Sequence, residues 1–110
     1  MLQLTPEGID MSFNSLLINT VIIKNETFTT SGEPAAAVQT SEKARIEYKN
    51  KIVRDFKGEE KLSEARIFLK ANTVAVPESL IIYDGREHTI LSLTKAQDAH
   101  KIHHIEIYVR

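Results

Sequence analysis

The chain has no cysteine and no tryptophan, and only three prolines and four glycines among its 110 residues. Without cysteine there can be no disulfide, no thiolate metal site and no cysteine nucleophile, a pattern that suits a reducing compartment. Zinc would have to be held by His, Asp and Glu alone. The glycines stand far apart, at positions 8, 32, 58 and 85, so no glycine-rich loop is present to cradle a phosphate. Long apolar runs are missing too: the longest, SLLINTVII, is interrupted by Asn19 and Thr20 and falls well short of the ~20 residues that span a bilayer. Residues 1–15 carry neither a basic start nor an apolar block, so no secretory leader is expected, and the glycosylation-like Asn25-Glu26-Thr27 is read as coincidence. No serine stands in a nucleophile elbow.

Charge of one sign is also lacking overall, with 14 basic and 15 acidic side chains and a net charge of −1. A protein that lives on phosphate contacts is usually far more basic. The distribution is uneven, however: residues 41–70 hold nine bases and six acids, between two mildly acidic flanks. Phe56, Phe68 and Tyr48 fall in this basic middle, the raw material of a small barrel that binds single-stranded nucleic acid, but the acids interleave with the bases there.

What is abundant is alternation. In KARIEYK, Ala44, Ile46 and Tyr48 share one face; in SEARIFLK, Ala65, Ile67 and Leu69 do, with Phe68 left as an exposed aromatic on the polar side. In LIIYDGREHTILSL, Asp84-Gly85 between apolar runs predicts a two-residue hairpin turn joining strands 79–83 and 86–93, entered from Pro77. Ser31-Gly32-Glu33-Pro34 separates a strand around 16–28 from one beginning near 36. Between 49 and 62 the pattern weakens, and a long hairpin with a solvated tip at Lys57-Gly58-Glu59-Glu60 is expected. A short helix or polar connection is expected over Thr94–Ala99, and an arm over 1–14 with a helical turn at Thr5-Pro6-Glu7. The sum is one mainly-β domain over 15–110: a small antiparallel β-barrel or sandwich of six to seven strands, with little helix and one long hairpin loop.

The chain ends HKIHHIEIYVR, with three histidines in five positions. Extended, this stretch puts His104, Glu106, Tyr108 and Arg110 on one face and His103, Ile105, Ile107 and Val109 on the other. His103 is then expected at the rim of the core. His104 and Glu106 alone do not complete a zinc site; His88, Glu87 or Asp84 could add ligands only if the last strand lies beside the hairpin. Glu59-Glu60 lacks the apolar pocket that splits two carboxyl pKa values for acid–base work. No catalytic residue, cofactor or metal is assigned, and the chain is not expected to be an enzyme.

Several stretches in order resemble the small head-closure (stopper) or head–tail joining proteins of long-tailed bacteriophages. SLLINTVIIKNETFTTSGEP resembles their opening strand and turn, ARIEYKN with GEEKLSEARIFL their central hairpin, and HHIEIYV their closing strand. VPESLIIYDGREHTILSL resembles their proline-led strand pair, although Glu78-Ser79 stands where Gly-Asp is common. The resemblance implies a structural virion protein, made in the bacterial host cytoplasm and built into the head–tail connector. There it would form a homo-oligomeric ring from subunits that are monomeric alone, seated between the portal–adaptor ring and the tail-terminator proteins, with no membrane partner. The ring would retain packaged DNA without sequence-specific binding and offer the tail a docking surface. By position, the channel loop would be Arg54, Asp55, Phe56, Lys57, Gly58, Glu59, Glu60 and Lys61, and Phe68, His104, Glu106 and Tyr108 would face a neighbouring subunit or partner. The competing readings are another adaptor or tail-completion protein, a single-stranded nucleic-acid-binding barrel, and a His/Glu metal enzyme.

Overall fold

A computed structural model describes residues 17–26, 37–97 and 102–110. The expected arm at 1–14 and the Ser31–Pro34 turn lie outside the described residues. Six strands are present: β1 (Asn19–Asn25), β2 (Val38–Arg54), β3 (Glu60–Lys70), β4 (Leu80–Tyr83), β5 (Arg86–Gln97) and β6 (Ile102–Val109). All neighbours are antiparallel, and the order β1-β2-β3-β6-β5-β4 closes on itself through Ile22↔Ile82 and Lys24↔Leu80. The architecture is therefore a closed barrel rather than a sandwich, in which every strand has a neighbour on both sides.

Strand alternation decides what fills it. Val21 and Ile23 of β1, Ala44 of β2, Ala65, Ile67 and Leu69 of β3, Ile81 of β4, Ile90 of β5 and Ile105, Ile107 and Val109 of β6 form one buried cluster. Small residues sit opposite large ones, Ala44 beside Leu69 and Ala65 beside Val109, as a narrow barrel requires. The β4–β5 hairpin turns at Asp84 and Gly85 with φ of 52° and 75°, the paired positive values of a type I′ turn.

The connection 71–79 is tied down by side chains. Glu42 on β2 accepts hydrogen bonds from the Thr73 hydroxyl and the Val74 amide, the latter at 2.9 Å. Asn25 donates to the Val74 carbonyl at 3.1 Å and accepts from the buried Ser79 hydroxyl.

Two expectations need correction. Thr94–Gln97 is not helical; it continues β5, paired with β6 through Thr94↔Glu106, Lys95↔Ile105, Ala96↔His104 and Gln97↔Ile102. Local helix propensity in Lys-Ala-Gln is worth only tenths of a kcal/mol per residue, and ladder pairing overrides it; residues 98 and 99 lie outside the described residues. His103 is exposed rather than packed at the core rim, because the buried series ends at Ile105 and the β5–β6 register slips between Ala96 and Gln97.

Candidate functional site

The middle of the chain builds a ribbon that outgrows the barrel. On the β1 side β2 loses its partner after Asn19↔Ala44, and on the β6 side β3 gains one only at Ala65↔Val109. Between those limits β2 and β3 pair only with each other, through Lys51↔Ser63, Ile52↔Leu62, Val53↔Lys61 and Arg54↔Glu60. Where β3 parts from β6, the buried Ser63 hydroxyl lies 2.9 Å from the Val109 carbonyl and 3.0 Å from that of Ala65, taking over from the ladder. A one-residue bulge in β2 between Tyr48 and Lys51 marks the same place and bends the ribbon.

The ribbon tip is ordered by Asp55. Its carboxylate accepts the amides of Lys57 and Glu59, both at 2.9 Å, while its own amide donates to the Glu59 carbonyl and its carbonyl accepts from Gly58. Gly58 takes a φ of 82°, and Arg54 donates to the Gly58 carbonyl at 2.7 Å. Arg54–Glu60 at 3.8 Å and Lys61–Glu59 at 3.2 Å are exposed pairs that add little. Phe56, Lys57 and Lys61 form one wall of a groove whose other wall is Thr89, Ile90 and Leu91 of β5. Every residue assigned to the channel loop thus lies at the ribbon's distal end, and the turn is solvated as expected. The ribbon also exposes apolar side chains: Ile52, Phe56 and Leu62 are 57%, 55% and 52% exposed, and Ile52 and Leu62 are direct cross-strand partners. Tyr48, expected on the inward face with Ala44 and Ile46, is instead 62% exposed, because β2 has no β1 partner beyond Ala44; its hydroxyl donates to Asp84 at 2.9 Å and its ring meets Tyr83 edge-on.

The four residues assigned to a partner surface do come together, on the outer face of β3 and β6. Phe68 pairs with Glu106 and Arg66 with Tyr108 in the ladder. The Arg66 guanidinium lies 4.8 Å from the Phe68 ring centre, and the His104 ring lies 5.7 Å from it on another side, so Phe68 is half-buried rather than freely exposed. His104 Nε2 is 3.3 Å from Glu106 Oε1. Glu47 on β2 receives Arg66 Nη2 at 2.7 Å and Nε at 3.1 Å. That hydrogen bonding, outweighing partial desolvation, holds the Glu47 carboxyl below its ordinary value and the Arg66 guanidinium above its own.

His88, considered as an extra ligand, proves to be interior. It alternates with Ile90 and is 2% exposed. Its Nδ1 is 3.2 Å from the Ile81 carbonyl, and its ring stacks on Tyr83 at 3.7 Å and 7°. Nε2 lies 3.2 Å from Glu64 Oε1, close enough for an ion pair but off the direction needed for a hydrogen bond. The Tyr83 hydroxyl is buried without a hydrogen-bond partner, and burial, reinforced by Glu64, pushes its pKa far up. His88 and His104 therefore occupy opposite faces of the barrel wall, and Glu87 is engaged outside with Lys24 at 2.9 Å. Among the described residues no group of three or more His, Asp or Glu side chains is placed to hold a metal ion. No protein-family model matches the chain, and no curated protein matches it either.

Proposed function

We propose that this protein is a structural subunit of the connector between the head and tail of a long-tailed phage, acting as a head-closure ring component. The observation that carries the reading is the β2–β3 ribbon: a closed barrel with one two-stranded element beyond its ladder, on which Ile52, Phe56 and Leu62 remain more than half exposed. Three large apolar side chains on so narrow an element are a cost in water that burial against a neighbouring subunit would remove, at about 25 cal/mol per Å² covered.

In this reading the barrels form the ring wall and the ribbons reach toward its axis. The tip carries charges of both signs, Lys57 and Lys61 against Glu59 and Glu60, and so can face packaged DNA without gripping it. The β3–β6 outer face, with Phe68, His104, Glu106 and Tyr108, supplies a second contact to the adaptor or tail side. The resemblance of sequence stretches in order, from SLLINTVII to HHIEIYV, supports the same assignment.

Electron microscopy of lysates from a phage lacking this gene tests it. The expected picture is DNA-emptied capsids beside complete, unattached tails. Joined, infectious virions in normal yield would overturn the closure role.

A further inference from the structure

Where the ribbon leaves the barrel, its outer side forms a small recess lined by Glu47, Lys49 and Lys51 of β2, Arg66 of β3 and Tyr108 of β6. Glu47 is already committed: Arg66 donates to it twice and Arg45 Nε approaches at 3.6 Å. Two arginines thus share Glu47, and Lys49 and Lys51 line the same recess without reaching it. The nearby carboxylates turn elsewhere, Glu64 toward Arg86 and His88, and Glu106 toward His104. Lys49 has no ion-pair partner among the described residues, and Lys51 meets only the Tyr108 ring at 5.3 Å and its hydroxyl at 3.4 Å. The β2 bulge falls between Tyr48 and Lys51, and such bulges re-aim side chains where a strand departs from its sheet.

We propose that Lys49, Lys51, Arg66 and Tyr108 form a binding site for a phosphate group. The chemistry fits: two lysine ammonium groups that no carboxylate neutralises, a guanidinium held in place by Glu47, and a phenolic hydroxyl that can donate to an anionic oxygen. The long Lys51–Tyr108 contact opens readily, since an oxyanion between them accepts a stronger, charge-assisted bond from each. The phosphate can be a free anion or one in a nucleic-acid backbone, since both present the same anionic oxygens. This site lies at the base of the ribbon, away from its tip, and does not depend on the connector reading.

The test uses the isolated full-length chain, labelled with ¹⁵N. Its spectrum is followed during addition of sodium phosphate against sodium chloride of equal ionic strength, and separately of a short oligodeoxythymidine at low salt. Signals of Lys49, Lys51, Arg66 and Tyr108 should move with phosphate, with the oligonucleotide, or with both. Movement with phosphate identifies a free-anion site, and movement with the oligonucleotide alone a backbone site. Lys49→Gln with Lys51→Gln should weaken the response about tenfold, whereas Lys43→Gln, further up the same strand, should leave it unchanged. Both lysines are exposed, so the double variant keeps its fold, which the same spectrum verifies. Absence of movement beyond the chloride control with either ligand, or an unaltered response in the double variant, would overturn the site.

Discussion

Gly85→Ala and Gly58→Ala impose the same backbone strain at two places that differ in their coupling to the barrel. Both glycines have positive φ, 75° and 82°, and a Cβ built at either would meet no atom within 4 Å. Steric clash is thus absent, and only the left-handed conformation is penalised, at about 1–2 kcal/mol for an L-residue. Alanine also restricts the unfolded chain, which returns about 0.4–1 kcal/mol. A net loss of about 1 kcal/mol is expected at Gly85, where the turn joins two strands of the closed ladder and cannot relax without disturbing β4 and its pairing with β1. At that size the melting temperature falls by roughly 4 °C. Gly85→Val, with a β-branched side chain at positive φ, should lose about 2 kcal/mol or more.

At Gly58 the strain is capped by the free energy of opening the ribbon tip, which closes only the end of a two-stranded ladder. Global stability should therefore change by no more than about 0.5 kcal/mol, while amide protection at Lys57 and Glu59 falls. Urea denaturation with an unchanged m-value, together with hydrogen exchange, measures both effects. Equal global losses at the two glycines would refute the separation of ribbon from barrel.

Ile52→Asp with Leu62→Asp should leave the melting temperature of the isolated chain within a few degrees of wild type, since both side chains are already in water, and should abolish incorporation into particles; a collapse of the fold would show that the ribbon face is covered within the monomer. Because Arg66 holds the Glu47 pKa below 4.5, this group's contribution to stability is fully present above that value and is lost as pH falls through the folded-state pKa. Glu47→Gln should flatten the decline of stability below pH 4.5, and urea midpoints that fall equally in both proteins would contradict the pairing. Tyr83→Phe removes a buried hydroxyl that has no partner, so stability should hold or rise; a loss above about 1 kcal/mol would reveal a partner for it.

Much of the wall was legible in the sequence because strand alternation is local. Ala65, Ile67 and Leu69 could be placed inside from SEARIFLK alone, and Asp-Gly at 84–85 fixed both the turn and the register of β4 with β5. Closure was not legible, because the β1–β4 pairing depends on non-local edges meeting. The ribbon's length is equally non-local: it exists because β1 and β6 stop short of where β2 and β3 continue. The expected long hairpin over 49–62 is present, but its register, with Ile52 opposite Leu62, was not assigned, though period two was recoverable by counting outward from Asp55-Phe56-Lys57-Gly58. The phosphate recess gathers three strands, and no spacing within one strand announces it. His88 could have been placed inside from its alternation with Ile90, whereas its stacking on Tyr83 required the hairpin register.

The absence of cysteine allows the proposed convergence of ribbons in a ring to be tested directly. A single Phe56→Cys substitution puts a thiol on the exposed tip, and a disulfide forms only where two α-carbons approach within about 7 Å. Ribbons that converge on a common axis predict disulfide-linked dimers upon mild oxidation of DNA-filled particles and none in the isolated chain. Thiols that stay monomeric and open to maleimide in particles containing the protein would contradict convergence of the tips.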